Sequence, residues 1–290
     1  MSAWRNLYWS TRREVWENRY LYFVPAIVAV VAIAGFLAAG FHGEHGRRLR
    51  NLVTLEPAKQ AAAASLAFSM AAALVLVSMW IAALFYALDA LNAERRDRSI
   101  LFWKSMPVSD LVTVASKTLV ALVFAPLAAM AIVIVAQLAM FALSAIVLAI
   151  QGASPELLWS RVPFATMTLV MLYGVTIHAL WFAPIYGWAL LMSAWARRAA
   201  FLWAVVPFFA LYVVEMLATG HSAIAALLRY RVMGAMAEGF VPNAVRAPIL
   251  SLAQLDPEKF FANPNLWIGL AFAAACLAGA VRLRRYRDPT

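Results

Sequence analysis

The chain has 290 residues, 65% of them apolar and only 13% charged, a balance far outside that of a soluble domain. Its net charge of +10 comes without an aromatic RNA-binding motif, zinc-finger spacing or a separate basic domain, which argues against a nucleic-acid partner and calls for a topological explanation. Cys276 is the one cysteine, so an internal disulfide and a multi-cysteine metal site are excluded, and it reads as a small packing residue.

The N-terminal stretch "SAWRNLYWSTRREVWENRY" mixes Trp4, Tyr8, Val15 and Trp16 with arginines. That pattern predicts an interfacial helix over 3–19 that turns into the first membrane span. Arg5, Arg12, Arg13 and Arg19 precede any long apolar core, and the run that follows is long enough to cross a bilayer. We therefore expect it to stay as an anchor rather than be cleaved as a signal peptide.

Hydropathy predicts six spans, at about 21–41, 64–88, 113–149, 164–192, 200–218 and 266–281, each near or above the roughly 20 residues needed to cross the hydrocarbon. The third is longer than one crossing requires, so it tilts, extends beyond the bilayer or hides a break near Pro126. Pro126, Pro184 and Pro207 read first as shaping residues of spans three to five; the alternative is that they expose backbone groups to a lateral cavity. With the N-terminus inside, the inner segments collect fifteen lysines and arginines and the outer segments nine. That excess predicts a multi-pass protein of a bacterial plasma (inner) membrane with both termini in the cytoplasm. The expected architecture is a single all-α integral membrane domain over 1–290.

Between spans two and three lies "DALNAERRDRSILFWKSMPVSD", Asp89 to Asp110, on the cytoplasmic side in this topology. Asp97 or Ser99 is suited to cap a short helix carrying Ile100, Leu101, Phe102, Trp103 and Met106, and Pro107 disfavours its continuation. Ser109 is placed to cap the third span, with Asp110 in the first turn where the helix dipole favours an acid. Two readings remain open on physics alone. Either this helix lies on the membrane with Arg95, Arg96 and Arg98 facing lipid phosphates, or its aromatic knob enters a cleft on a cytoplasmic protein with the arginines at the rim. In the second case a moving partner transmits a rigid-body displacement to the spans.

The segment 219–265 is too long for a simple connection and has helical spacing around Ile224 to Met236, which predicts one or two helices over or in the outer leaflet. Glu215 is the acid placed inside a span, and His178 lies within "YGVTIHALWFAP". Each is a candidate for a substrate or proton pathway, against the plainer readings of an interfacial carboxylate and a satisfied interhelical histidine. His42, Glu44 and His45 in "FHGEHGRR", with His221, form an incomplete metal-ligand set that reads first as a solvated loop. Ser222 in "TGHSA" resembles the serine motif of rhomboid intramembrane proteases, but the last span supplies no histidine as its base.

The order "FYALDALNAERRDRSILFWKSMPVSDLVTVASKTLVAL" resembles the second-span, coupling-helix and third-span region of permease subunits of type-2 (ABC-2) ATP-binding cassette transporters. The matching features are Glu94 before a short helix containing Leu101, the turn at Pro107, and Lys117 opening the next span. Arg98 and Ser99 stand where family members often carry glycine and threonine. "APIYGWALLMSAWARRAAFLW" and the ending "NPNLWIGLAFAAACLAGAVRLRRYRD" are similar too. The resemblance implies a dimerising permease, with a second permease subunit in a homo- or heterodimer, that exports a substrate. It implies contacts to a separate ABC ATPase subunit through Glu94, Arg95, Arg98, Ile100, Leu101, Phe102, Trp103, Lys104, Met106 and Pro107. No lysine here follows a glycine, so no phosphate-binding loop occurs. We therefore expect no enzymatic activity and no cofactor in this chain, with ATP and magnesium bound by the partner. The alternative is a six-span membrane protein outside this class, an assembly subunit or an intramembrane enzyme.

Overall fold

The computed structural model describes residues 3–41, 57–97, 100, 108–150, 162–241 and 251–286. Helix α1 (Ala3–Glu17) precedes α2 (Tyr20–Phe41), and α3 (Pro57–Arg96) leads toward α4 (Asp110–Leu119). A π-helical turn, Val120–Phe124, joins α4 to α5 (Ala125–Ile150). Then come α6 (Phe164–Trp195), α7 (Ala200–Thr219), α8 (Ala223–Gly239), α9 (Pro257–Ala262) and α10 (Pro264–Tyr286). Among the described residues the β contribution is one isolated bridge, Phe240 to Leu255.

Six stretches are long and apolar enough to span: Tyr20–Ala38, Ser65–Arg96, Asp110–Ile150, Phe164–Trp195, Ala200–Thr219 and Pro264–Tyr286. They follow the six predicted from hydropathy, and the protein is an all-α, multi-pass membrane protein. The third runs 41 residues, roughly 60 Å at 1.5 Å per residue, about twice the hydrocarbon thickness. Its irregularity sits where proline requires it. Pro126 has no N–H to donate into the preceding turn, and the π turn just before it widens the ladder so that Ala125 N bonds Val120 O.

Lipid tails are as apolar as leucine, so helices here associate by close packing rather than by a hydrophobic drive. The core reflects this. Ala83, Ala87, Ala121, Ala129, Ala189 and Ala280 are buried where spans two, three, four and six meet. At Gly187 a Cβ would lie 3.2 Å from the Ala273 Cα and carbonyl oxygen, so spans four and six touch nearly backbone to backbone. The most apolar window of spans two and four is 44% buried, against 17% for span one and 11% for span five. Spans two and four, with span three at 39%, are therefore the interior of the bundle, while span five presents Phe201, Leu202, Phe209 and Leu217 outward.

The segment after span five forms helices, as its spacing predicts. α8 and α9 are joined by Asp256 N donating to Gly239 O at 3.0 Å and fold against span four. The fully buried Trp181 and Phe260 pack there with Ile177, Phe240 and Leu266. Trp181 Nε1 donates to Arg231 O at 2.8 Å, and the Arg231 guanidinium returns to Trp181 O at 3.3 Å and Asn265 O at 3.0 Å. This approach needs glycine. A Cβ on Gly234 would sit 2.8 Å from the Trp181 ring, and one on Gly269 would sit 2.7 Å from Arg231 Nη2 and 3.0 Å from Pro184.

Candidate functional site: an ionic junction flanking residues 98–107

The end of the bundle that carries α1 holds most of the buried charge of the described chain. Ser109 caps α4, its hydroxyl accepting from Val112 N at 3.3 Å, and Asp110 stands in the first turn, both as the sequence predicts. About two turns further, Lys117 is 2% exposed, and an ammonium so far out of water requires partners. It has two. Lys117 Nζ donates to Glu14 Oε1 at 2.8 Å and pairs with Glu94 Oε1 at 3.0 Å.

Each carboxylate passes the connection on. Glu14 also accepts from the Tyr86 hydroxyl at 2.9 Å and from Arg13 Nη2 at 2.9 Å. The second oxygen of Glu94 is bound by Arg284 Nη1, and Arg284 Nε pairs with Asp110 Oδ1 at 2.9 Å. Glu14, Glu94 and Asp110 thus face Arg13, Lys117 and Arg284, a balanced set drawn from α1, α3, α4 and α10. Burial pushes the Glu14 carboxyl up, but attraction and hydrogen bonding from Lys117 and Arg13 outweigh it and hold the group below the usual carboxylate range.

A second joint lies beside the first. Ser193 Oγ accepts from Leu91 N at 2.9 Å and Asn92 N at 3.0 Å. Asn92 Nδ2 donates to Ala196 O at 2.6 Å, and Arg95 Nη2 donates to Ser193 O and to Ala196 O, the latter at 3.0 Å. The last carbonyls of α6, which have no partner in their own helix, are therefore capped by α3. Ile100, 2% exposed, lines a small recess together with Leu91, Arg95, Ala194, Leu283 and Arg284.

These positions give the sequence-predicted residues a setting within the chain. Glu94, Arg95 and Ile100, which the resemblance assigns to an ATPase contact, are each engaged by other parts of the chain. The reason is tertiary: Arg284 and Lys117 come from other helices and draw Glu94 inward, and the free end of α6 draws Arg95. Arg96 remains outward, 3.4 Å from both Asp89 and Asp97. Arg98, Leu101, Phe102, Trp103, Lys104, Met106 and Pro107 lie outside the described residues, as do His42, Glu44 and His45.

Glu14, Tyr86, Asn92, Ser193 and Arg284 were not singled out from sequence. The signal available for them was Lys117, a charge at the opening of a span and in need of an acid. Arg284 looked like one more cation of a positive tail.

The two candidate pathway residues are held by separate partners. His178 Nε2 lies 3.3 Å from the Tyr186 hydroxyl, and its ring stacks against both Trp80 and Phe182, with centroids 4.2 and 4.3 Å away. Glu215 accepts from Ser222 Oγ at 2.9 Å and Ile224 N at 3.0 Å, so its carboxylate serves the start of α8. Ser222 is the N-cap of α8, accepting from Ala225 N, which gives that serine a structural role. Among the described residues no three His, Cys, Asp or Glu side chains are grouped to hold a metal.

No family model, curated protein or solved structure matches this chain.

Proposed function

We propose that the chain is the permease subunit of an ABC transporter, working as an exporter and driven by ATP hydrolysis in a separate nucleotide-binding subunit. The observation that carries this reading is that Arg284 binds both Glu94 and Asp110, the residues that bracket 95–109. Both flanks of the aromatic segment are fastened to one guanidinium on span six. Glu94 is fastened in addition through Lys117 to α1. A partner gripping Leu101, Phe102, Trp103 and Met106 would pull on spans two, three and six and on α1 together. Such concerted motion is what conversion of a soluble motor's movement into a membrane rearrangement requires. The outward apolar face of span five (Phe201, Leu202, Phe209) offers a surface for a second permease subunit.

The test is purification of the tagged, full-length chain from its native membrane with identification of what accompanies it. The reading expects a P-loop ATPase, lost on Trp103→Glu or Leu101→Arg while the chain remains folded. A chain that purifies without any ATPase, or keeps the ATPase in both variants, contradicts it.

A further inference from the structure

The N-terminal helix has two faces with different duties. Thr11 and Glu14 point into the bundle and are buried. Along the exposed side run Trp4, Tyr8, Trp9 and Trp16, 80%, 59%, 54% and 62% exposed, with the exposed Arg5 and Arg12 among them. At 100° per residue these six positions fall on one arc of the helix, and it contains no acid. Glu17 lies off this arc and is 3.5 Å from Arg13.

Depth follows from the junction. Glu14 reaches Lys117, seven residues past the start of α4 at Asp110, or about 10 Å along that helix. Span one begins at Tyr20, three residues after α1 ends. The helix therefore lies at the level where headgroups give way to acyl chains, the depth at which amphipathic helices with tryptophan and arginine reside.

Arg12 is the focus. Its guanidinium stands 5.2 Å from the Trp9 ring centroid and 4.9 Å from that of Trp16, so two indoles, one turn to either side, hold it in place. Neither Arg12 nor Arg5 makes an ion pair or hydrogen bond to another described residue. A guanidinium whose position is fixed by aromatic rings and whose N–H edges are free is prepared for an oxyanion, and its fork matches the two oxygens of a phosphate.

From this arrangement we infer that the outward face of α1 is a binding site for the phosphate headgroup of an anionic phospholipid. Arg12 makes the bidentate contact, Arg5 adds charge one to two turns away, and Trp9 and Trp16 set their rings against the glycerol and upper acyl region. Because the same helix holds Glu14 in the ionic junction, occupancy of this site bears on the element that fixes residues 94–110. The inference stands whether or not the chain is a transporter.

The experiment uses purified full-length protein in phosphatidylcholine vesicles containing a minor fraction of phosphatidylglycerol, with bromine on the acyl chains of one lipid or the other. Tryptophan quenching in wild type minus that in Trp9→Phe/Trp16→Phe isolates the signal of this face. Brominated phosphatidylglycerol is expected to quench it well above its share of the lipid, with enrichment of roughly five-fold for each arginine engaged. Arg5→Gln/Arg12→Gln abolishes the enrichment, and Arg229→Gln on the exposed surface of α8 leaves it intact. Quenching in proportion to lipid composition would overturn the inference, showing contact with hydrocarbon alone. Absence of quenching by either lipid would also overturn it, showing that protein covers this face.

Discussion

The two ends of the bundle are held together by different physics. At the end carrying α1, six charged side chains and Tyr86 join four helices through contacts that are almost all buried. At the end carrying α8, one arginine, one tryptophan and two glycines bring the segment after span five against spans four and six. The first arrangement is directional and intolerant of any missing member, because removing one partner strands a buried charge. The second depends on shape, and its arginine is only partly buried. A junction of the first kind suits helices that must move as one body. A seam of the second kind suits surfaces that close and part.

The largest effect is expected from Lys117→Met, which leaves Glu14 and Glu94 without their shared cation. Breaking a buried pair in this way costs about 3–5 kcal/mol, and thermal unfolding in detergent should show a chain that is barely stable. Acid attacks the same junction. Because the folded Glu14 has a lowered pKa, its contribution is complete above the unfolded value of about 4.5 and is lost as the pH falls through the folded value. The melting temperature should hold from neutrality to that range and then drop, with a shallower drop in Glu14→Gln.

Gly269→Ala tests the opposite end, where the added methyl meets Arg231 and Pro184. A loss of about 1–3 kcal/mol is expected from overpacking, with increased proteolysis of α8 and the six-span bundle retained. Weakest is Arg96→Ala, since Arg96 and both its acids are more than half exposed. Such surface pairs contribute about 0–1 kcal/mol, and a large loss would place Arg96 in the junction.

Much of the architecture was legible in the sequence because its signals are local. Span length and hydropathy located all six crossings, Pro126 marked the irregular point of the third, and Ser109 with Asp110 marked the start of α4. The junction was legible only at its edges. Glu94 and Lys117 stood out, but the side on which Glu94 is satisfied depends on Arg284, 190 positions away, and on Glu14, 103 positions from Lys117. No periodicity reports such pairings. The intrachain contacts of Arg95 and Ile100 were hidden for a related reason: a charged, aromatic segment at the end of a span looks outward until the neighbouring helix ends are known. Arg12 was visible as a positive anchor, while the two indoles that fix it became evident only from the helix geometry.

The central claim is that Glu94 and Lys117 belong to an internal joint of this chain rather than to a partner's binding surface. A double-mutant cycle measures this directly: Glu94→Gln, Lys117→Met and the double variant, each unfolded in mixed micelles as the purified chain alone. The joint predicts strong non-additivity, a coupling above about 1 kcal/mol, since residues in one buried ionic network share their energies. Additivity within about 0.5 kcal/mol would mean that the two side chains do not meet in the isolated protein.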